Sequence, residues 1–401
     1  MKAILVLNFP TLYQWALNSY ITELKRSSSI DVLILDWREG NQKFDISNYS
    51  TNDYLVLIGN LKDFSKNDLS EDMNLIRLIQ RFPGERIWHL YGDLDHRLEH
   101  ILFGYKTNKS NLHESALTRK ADEYLSMFKT LIWSFEQHVD KNELPYFPIE
   151  KTKQILSIST EERFELLLQT QERLKDKFDN RIEWQHCIEA SYIEYIAKLK
   201  PKLINCDITA IGAEYSSRVY ALEELRRLGM QVKDNSQKSK SIATLRALVS
   251  QAGFRLGVDS EKLKYFLFQI YFLEQQSLYL RASSAYVDTG YYGTFMRKYV
   301  ESAFMGCALI GTLSSGIANL GFENNYNFIA IPNHQDGIAE RSSAIQDRDL
   351  HRSMNANLRR LIVARHSSKV RASQIDSAIR NRDVKGVSMF IKGNYNFLPR
   401  T

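Results

Sequence analysis

Short, almost continuously apolar stretches recur through the first 150 residues: Ala3–Leu7, Asp31–Asp36, Tyr54–Gly59, Ile87–Tyr91 and Thr130–Phe135. A strand with one face in water alternates apolar and polar residues. A run that does not alternate belongs to a strand covered on both faces, as in a parallel sheet. Between the runs lie segments with helical spacing, such as Leu12–Lys25 and Leu69–Arg81. Strand, helix and strand in succession bring each strand back parallel to the last through a right-handed crossover. The pattern therefore predicts a doubly wound α/β sheet.

Around Thr160 the pattern changes. Glutamate, lysine and leucine dominate as far as Lys200, with neither a strand-like run nor sustained heptads, and Pro201 closes the stretch. This reads as a helical connection. The α/β alternation then restarts with strand Ile208–Gly212, helix Arg218–Leu228 and strand Met230–Lys233, Gly229 standing where a helix C-cap glycine belongs. Helices follow through Leu280, then strands Ala285–Asp288, Ala308–Gly311 and Phe328–Pro332, and charged helices from Gln335 to about Arg380. A chain of 401 residues exceeds one ordinary core. The expected organisation is two Rossmann-like doubly wound domains, 1–150 and 203–380, joined by a helical connection, 151–202. A closing segment, 381–401, of aromatic and basic character folds back. Ligands of such sheets bind outside the carboxyl ends of the strands at a topological switch point, and two of them face a common cleft.

Composition excludes several classes. The cysteines, Cys187, Cys206 and Cys307, are odd in number and far apart, with no CxxC pair. That argues against a disulfide framework or a zinc ribbon and for a reducing, cytoplasmic compartment. The N-terminal apolar run stops at Asn8, too short for a signal peptide, and no stretch reaches the roughly 18 apolar residues of a membrane span. The net charge of +6 suits a phosphate-bearing ligand, an anionic membrane surface or a nucleic acid, and equally an ordinary cytosolic enzyme. No GxGxxG, P-loop, HExxH or GxSxG motif occurs.

Two stretches could carry chemistry. The first is Lys298–Gly316, KYVESAFMGCALIGTLSSG. A helix bearing Glu301 ends near Gly306, a strand follows, and Thr312, Ser314, Ser315 and Gly316 open a loop before the next helix. Backbone N–H groups at such a loop can cradle a phosphate, and a carboxylate one turn earlier can accept from a ribose diol. Equally, Gly306 can be a simple C-cap and Glu301 a solvated side chain. The second stretch is YGDLDHRLEH, which follows the strand Ile87–Tyr91. Asp93, Asp95 and His96 sit where a doubly wound sheet presents a general base; the two aspartates could instead form a metal-binding pair, or cap the next helix.

Taken together, the first stretch resembles the glycosyl-transferases group 1 pattern of GT-B enzymes, with Glu301, Gly306 and the Ser314-Ser315-Gly316 turn at matching positions. It looks most like the CgeB-like branch, in which a basic residue precedes the glutamate by three, as Lys298 does here. The resemblance extends upstream to IGAEYSSRVYALEELRRLG, where Gly212 ends a strand and Arg218 begins a helix, and downstream to RHSSKVRASQI. It covers about residues 203–380; the first half matches in architecture only. Two positions depart from the pattern: Gly293 stands where many retaining members carry a second glutamate, and Asn319 where another is usual, unless Glu323 substitutes.

The resemblance implies a GT-B glycosyltransferase whose C-terminal domain binds a nucleotide-sugar donor and whose N-terminal domain faces the acceptor. Glu301 would hold the donor ribose. Arg218 and Lys298, or Arg297, would neutralise the leaving diphosphate with the backbone at Ser314, Ser315 and Gly316, and no metal would be required. The expected acceptor is a hydroxyl of a glycan or lipid-linked glycan, met in the cytoplasm or at the inner face of the membrane; a modified nucleic-acid base is a further acceptor that the charge permits. Asp93, Asp95 and His96 are loosely similar in placement to the His-Asp-His loop of phage DNA α-glucosyltransferases. The alternatives are a non-catalytic binding or scaffold subunit of the same fold, and a sugar-nucleotide epimerase.

Overall fold

The computed structural model describes residues 1–8, 23–24, 30–37, 44–63, 70–90, 98–103, 114–133, 160–183, 204–211, 216–234, 248–249, 252, 276–288, 297–332 and 336–380. The chain divides into two compact units. The first comprises Met1–Glu136, Leu156–Trp184 and the chain from Ala372 to Asn394, and the second is chiefly Gln185–Arg371.

The first unit is a six-stranded parallel sheet. Its strands are β1 (Lys2–Asn8), β2 (Asp31–Asp36), β3 (Tyr54–Gly59), β4 (Glu85–His89), β5 (Thr130–Trp133) and β6 (Asn180–Glu183), in the order β2-β1-β3-β4-β5-β6. Every residue of β3 and β5 is buried, as is β1 from Ala3 onward, which is the reason their sequences do not alternate. Helix Met73–Arg81 begins later than its apolar pattern suggests. Asp72 stops it by accepting from the N–H groups of Asn74 and Leu75 at 3.0 and 2.9 Å.

β6 departs from the sequence reading, which has only helix between 160 and 200. Helix Thr160–Lys177 is present, but Asn180–Glu183 then pairs with β5 as an edge strand. Its sequence, NRIE, contains a single apolar residue. With that one apolar residue it leaves no run to find, unlike β2 at the opposite rim, whose sequence is DVLILD.

The second unit is a five-stranded parallel sheet of β7 (Cys206–Ala210), β8 (Val232–Asp234), β9 (Ala282–Val287), β10 (Ala308–Gly311) and β11 (Ile329–Ala330), ordered β11-β10-β9-β7-β8. Core covers both faces. Ala285, Val287 and Leu309 pack on one side with Tyr299, Phe304, Phe322 and Leu358. Ile208, Ala210, Tyr286 and Ile310 pack on the other with Leu222, Leu225, Ile338 and Met354. Helices Ser216–Arg227 and Arg297–Phe304 end in left-handed glycines, Gly229 at φ 80° and Gly306 at φ 77°. The N–H groups of Gly229 and Met230 return to the carbonyls of Arg226 and Leu225.

Numbered from its own first strand, the second sheet runs 2-1-3-4-5 and the first runs the same way with a sixth strand added, the doubly wound order with its switch point between first and third strands. In the first unit that point lies between Asn8 and Gly59. The Asn8 side chain donates to the carbonyls of Asn60 and Lys62 at 2.7 and 3.0 Å, tying the chain leaving β3 to the end of β1. In the second unit the switch point lies between the carboxyl ends of β7 and β9.

Two fully buried histidines bear on stability, His89 at the end of β4 and His366 after helix Arg348–Arg365. His366 accepts from Arg371 at Nδ1 and donates through Nε2 to the Leu320 carbonyl, a pattern that requires the neutral ring. Burial lowers both to about pKa 3, helped at His366 by Arg371. When unfolded they take up a proton near pH 6.5, so the unfolded state binds more protons below that pH. Stability is therefore complete above pH 6.5 and falls toward pH 3 by about 1.4 kcal/mol per pH unit for each histidine. Thermal melts between pH 7 and 4 will show this decline. His366→Gln, whose amide can reproduce both hydrogen bonds, will lower the slope by one proton.

Candidate functional site

The carboxyl ends of β7 and β9 carry the densest charge in the described core. Asp288, the first residue after β9, is fully buried. One of its oxygens accepts from Arg218 Nε at 2.7 Å and the other from Lys298 Nζ at 2.5 Å. Arg218 lies in the first turn of the helix that follows β7, and Lys298 in the first turn of the helix that follows β9. The doubly wound topology thus delivers one cation from each side of the switch point onto a single acid. Arg218 is 2% exposed and Lys298 9%.

Ionised groups so deeply buried persist only where partners replace the lost water. Burial works against the Asp288 carboxylate, but Arg218 and Lys298 outweigh it and hold its pKa well below the usual range. Lys298 responds in the opposite sense. Burial, seconded by Arg218, pulls its pKa down to about 7, while Asp288 resists.

A second ion pair stands beside the first. Glu301, 3% exposed, pairs with Arg297 one turn back on the same helix. The buried Tyr279 links the two pairs electrostatically. Its pKa is pushed well above the ordinary value, first by burial, then by Glu301, Cys307 and Asp288, with Arg218 acting in the other direction. The helix carrying Lys298 and Glu301 is itself pinned. Tyr299 stacks on Phe328 at 5.9 Å, meets Phe322 edge-on at 5.8 Å and donates its hydroxyl to the Thr312 carbonyl at 2.9 Å.

That last bond reaches the small-residue turn. Ser314 caps the short helix Ser315–Asn319 by accepting from the Ile317 N–H at 3.4 Å, and Gly316 is buried in its first turn. At the preceding Gly311 a Cβ would stand 1.8 Å from the Val287 carbonyl oxygen, so only glycine lets β10 run this close to the end of β9. Glu323, the proposed substitute for the glutamate missing at Asn319, is exposed in a turn that Asn327 closes by accepting from its N–H.

The structure therefore brings together Arg218, Arg297, Lys298 and Glu301. It places Ser314, Ser315 and Gly316 at the end of the adjacent strand. Gly212, Gly293, Asp93, Asp95 and His96 lie outside the described residues. Sequence reasoning gave Asp288 no role. Its signal was faint: a lone acid ending an apolar strand, one of several such residues in the chain. Among the described residues, no group of three or more His, Cys, Asp or Glu side chains could hold a metal ion, and no helix is long and apolar enough to cross a membrane.

No family model matches the chain, and no curated protein does. Solved structures do. The chain is similar to a glycosyltransferase from Rickettsia africae ESF-5, at 13% identity over 95% of this chain and 99% of that one, with a TM-score of 0.43. It is similar to sucrose-phosphate synthase from Thermosynechococcus elongatus at 12% identity, over 95% and 99% of the chains, with a TM-score of 0.46. It is also similar to HepE of Anabaena in complex with UDP-glucose, at 11% identity over 95% and 100%, with a TM-score of 0.42.

Removing one member of a buried ionic cluster leaves the others uncompensated, at a cost of about 3–5 kcal/mol. Arg218→Met will accordingly lower the melting temperature sharply. Arg352→Ala removes an exposed i,i+3 partner of Asp349, and the melting temperature will not move measurably.

Proposed function

We propose that the chain is a GT-B glycosyltransferase that moves a sugar from a nucleotide-sugar donor to a hydroxyl acceptor. The observation that carries this reading is the pair of cations, Arg218 and Lys298, delivered to the switch point of the second sheet from the helices after β7 and β9. Departure of a nucleoside diphosphate concentrates negative charge where the glycosidic bond breaks. Fixed cations in a site screened from water stabilise that charge most effectively. Glu301, one turn beyond Lys298, supplies a carboxylate of the kind that a ribose diol satisfies with two hydrogen bonds. The resemblance of residues 203–380 to the group 1 pattern supports the same assignment of roles.

Within this reading the donor is held by Arg218, Lys298, Glu301, the turn Ser314–Gly316 and Gly212, and transfer requires no metal. Asp93, Asp95 and His96 are the proposed source of the general base. The acceptor is a glycan or glycolipid hydroxyl, met in the cytoplasm or against the inner membrane face, and the CgeB-like branch is the proposed affiliation.

One observation favours a second reading. Both cations of the site are engaged by Asp288, and Glu301 by Arg297, so the cluster is satisfied within the protein. A binding or scaffold subunit of the same fold would keep such a cluster as fixed internal structure, with no nucleotide bound at it.

A thermal-shift screen of UDP-, GDP-, ADP-, CMP- and dTDP-sugars separates the two. A donor at about 100 times its dissociation constant will stabilise the wild type by about 2.7 kcal/mol. One nucleotide series will do so, and Glu301→Gln, folded by its own melt, will lose the effect. Absence of a shift with every nucleotide would reject the transferase and leave the scaffold.

A further inference from the structure

Asp288 is an unexpected neighbour for an anion-binding pair. A carboxylate between two cations cuts the charge of the cluster to a single positive unit, which by Coulomb's law alone weakens its hold on any phosphate. Yet it is wholly buried, with one oxygen on Arg218 Nε and the other on Lys298 Nζ. The two cations come from helices after different strands and meet on this one carboxylate. Both carry long, flexible stems, and ordering two such side chains costs rotamer entropy when left to the ligand.

Building on the donor-site reading above, we propose that Asp288 is the positioning residue of this site: its two oxygens fix Arg218 and Lys298 in advance as one cationic clamp for the diphosphate of the donor. The lost unit of charge is offset because the ligand meets cations already in place. The same carboxylate also opposes the burial and the Arg218 charge that draw the proton from Lys298. Among the described residues, the other titratable or charged groups around the cluster are Tyr279, Tyr286, Tyr299, Cys307, Glu301 and its partner Arg297. All three tyrosines are buried and shifted upward, hence neutral across the physiological range, with burial the first cause and Asp288 a further one in each.

Charge and position make opposite predictions, which the full-length protein can distinguish. Calorimetric titration with inorganic pyrophosphate compares the wild type with Asp288→Asn, and Lys298→Met with the double variant Asp288→Asn/Lys298→Met. At a pH low enough to keep Lys298 protonated, the loss of Asp288 makes the cluster one charge more positive in each comparison. If charge governs, pyrophosphate binds more tightly. If Asp288 positions the clamp, affinity falls at least tenfold, about 1.4 kcal/mol, in both comparisons. The second comparison removes a buried cation along with the acid, and so remains informative where Asp288→Asn alone does not fold. A pH series adds a readout that simple loosening does not move. The fall in pyrophosphate affinity as Lys298 loses its proton will come at lower pH in Asp288→Asn than in the wild type. Equal or tighter binding without Asp288, or an unmoved pH profile, would overturn the positioning role and leave the donor-site reading intact. Failure of the wild type to bind pyrophosphate or any nucleoside diphosphate would overturn both.

Discussion

Strands covered on both faces impose a severe constraint on where a protein of this kind can place polar chemistry. Along β3, β5 and β10 every position is buried, and a charge there would lose its water without gaining a partner. Polar side chains are therefore driven to the strand ends, where the chain turns into a helix whose first turn can also contribute. At the end of β9 this concentrates an acid and two bases in a few ångströms. The position of the cluster is thus a consequence of how the sheet is covered, and its composition is the part that chemistry selects.

Buried ion clusters seldom stabilise a fold more than well-packed apolar residues of the same volume would. Their retention asks for a reason beyond stability, such as fixed geometry for a ligand. The packing around this cluster is consistent with that demand for rigidity. Tyr299, Phe322 and Phe328 clamp the helix that presents Lys298 and Glu301, and the hydroxyl of Tyr299 carries the same rigidity to the turn after β10.

Much of this was legible in the sequence because both-face burial writes itself as apolar runs. The buried strands β3 and β10 match their runs residue for residue, as does the edge strand β2 although its Leu33 is exposed, and both helix-ending glycines are left-handed as their positions suggested. The failures follow from the same physics. β6 lies at the rim with one apolar residue and resembles the charged helix before it. β11 shrinks to two residues inside a longer apolar run. In the site, Arg218, Lys298 and Glu301 were legible by pattern. That Asp288 binds two of them, and Arg297 the third, depends on strand order and side-chain geometry that local sequence does not encode.

The first unit is not made from the first part of the chain alone. Its sixth strand comes from Asn180–Glu183, and the chain from Ala372, with Ala372 and Ile375 buried, also groups with it. A ribosome adds residues at about 5–20 per second and releases amino-terminal domains to fold first. Here that order is broken: the edge strand is made before the main part of the second unit begins at Gln185, but the chain from Ala372 comes only after nearly the whole second unit. Completion of the first unit thus depends on residues that lie, in sequence, well beyond the chemistry at β9.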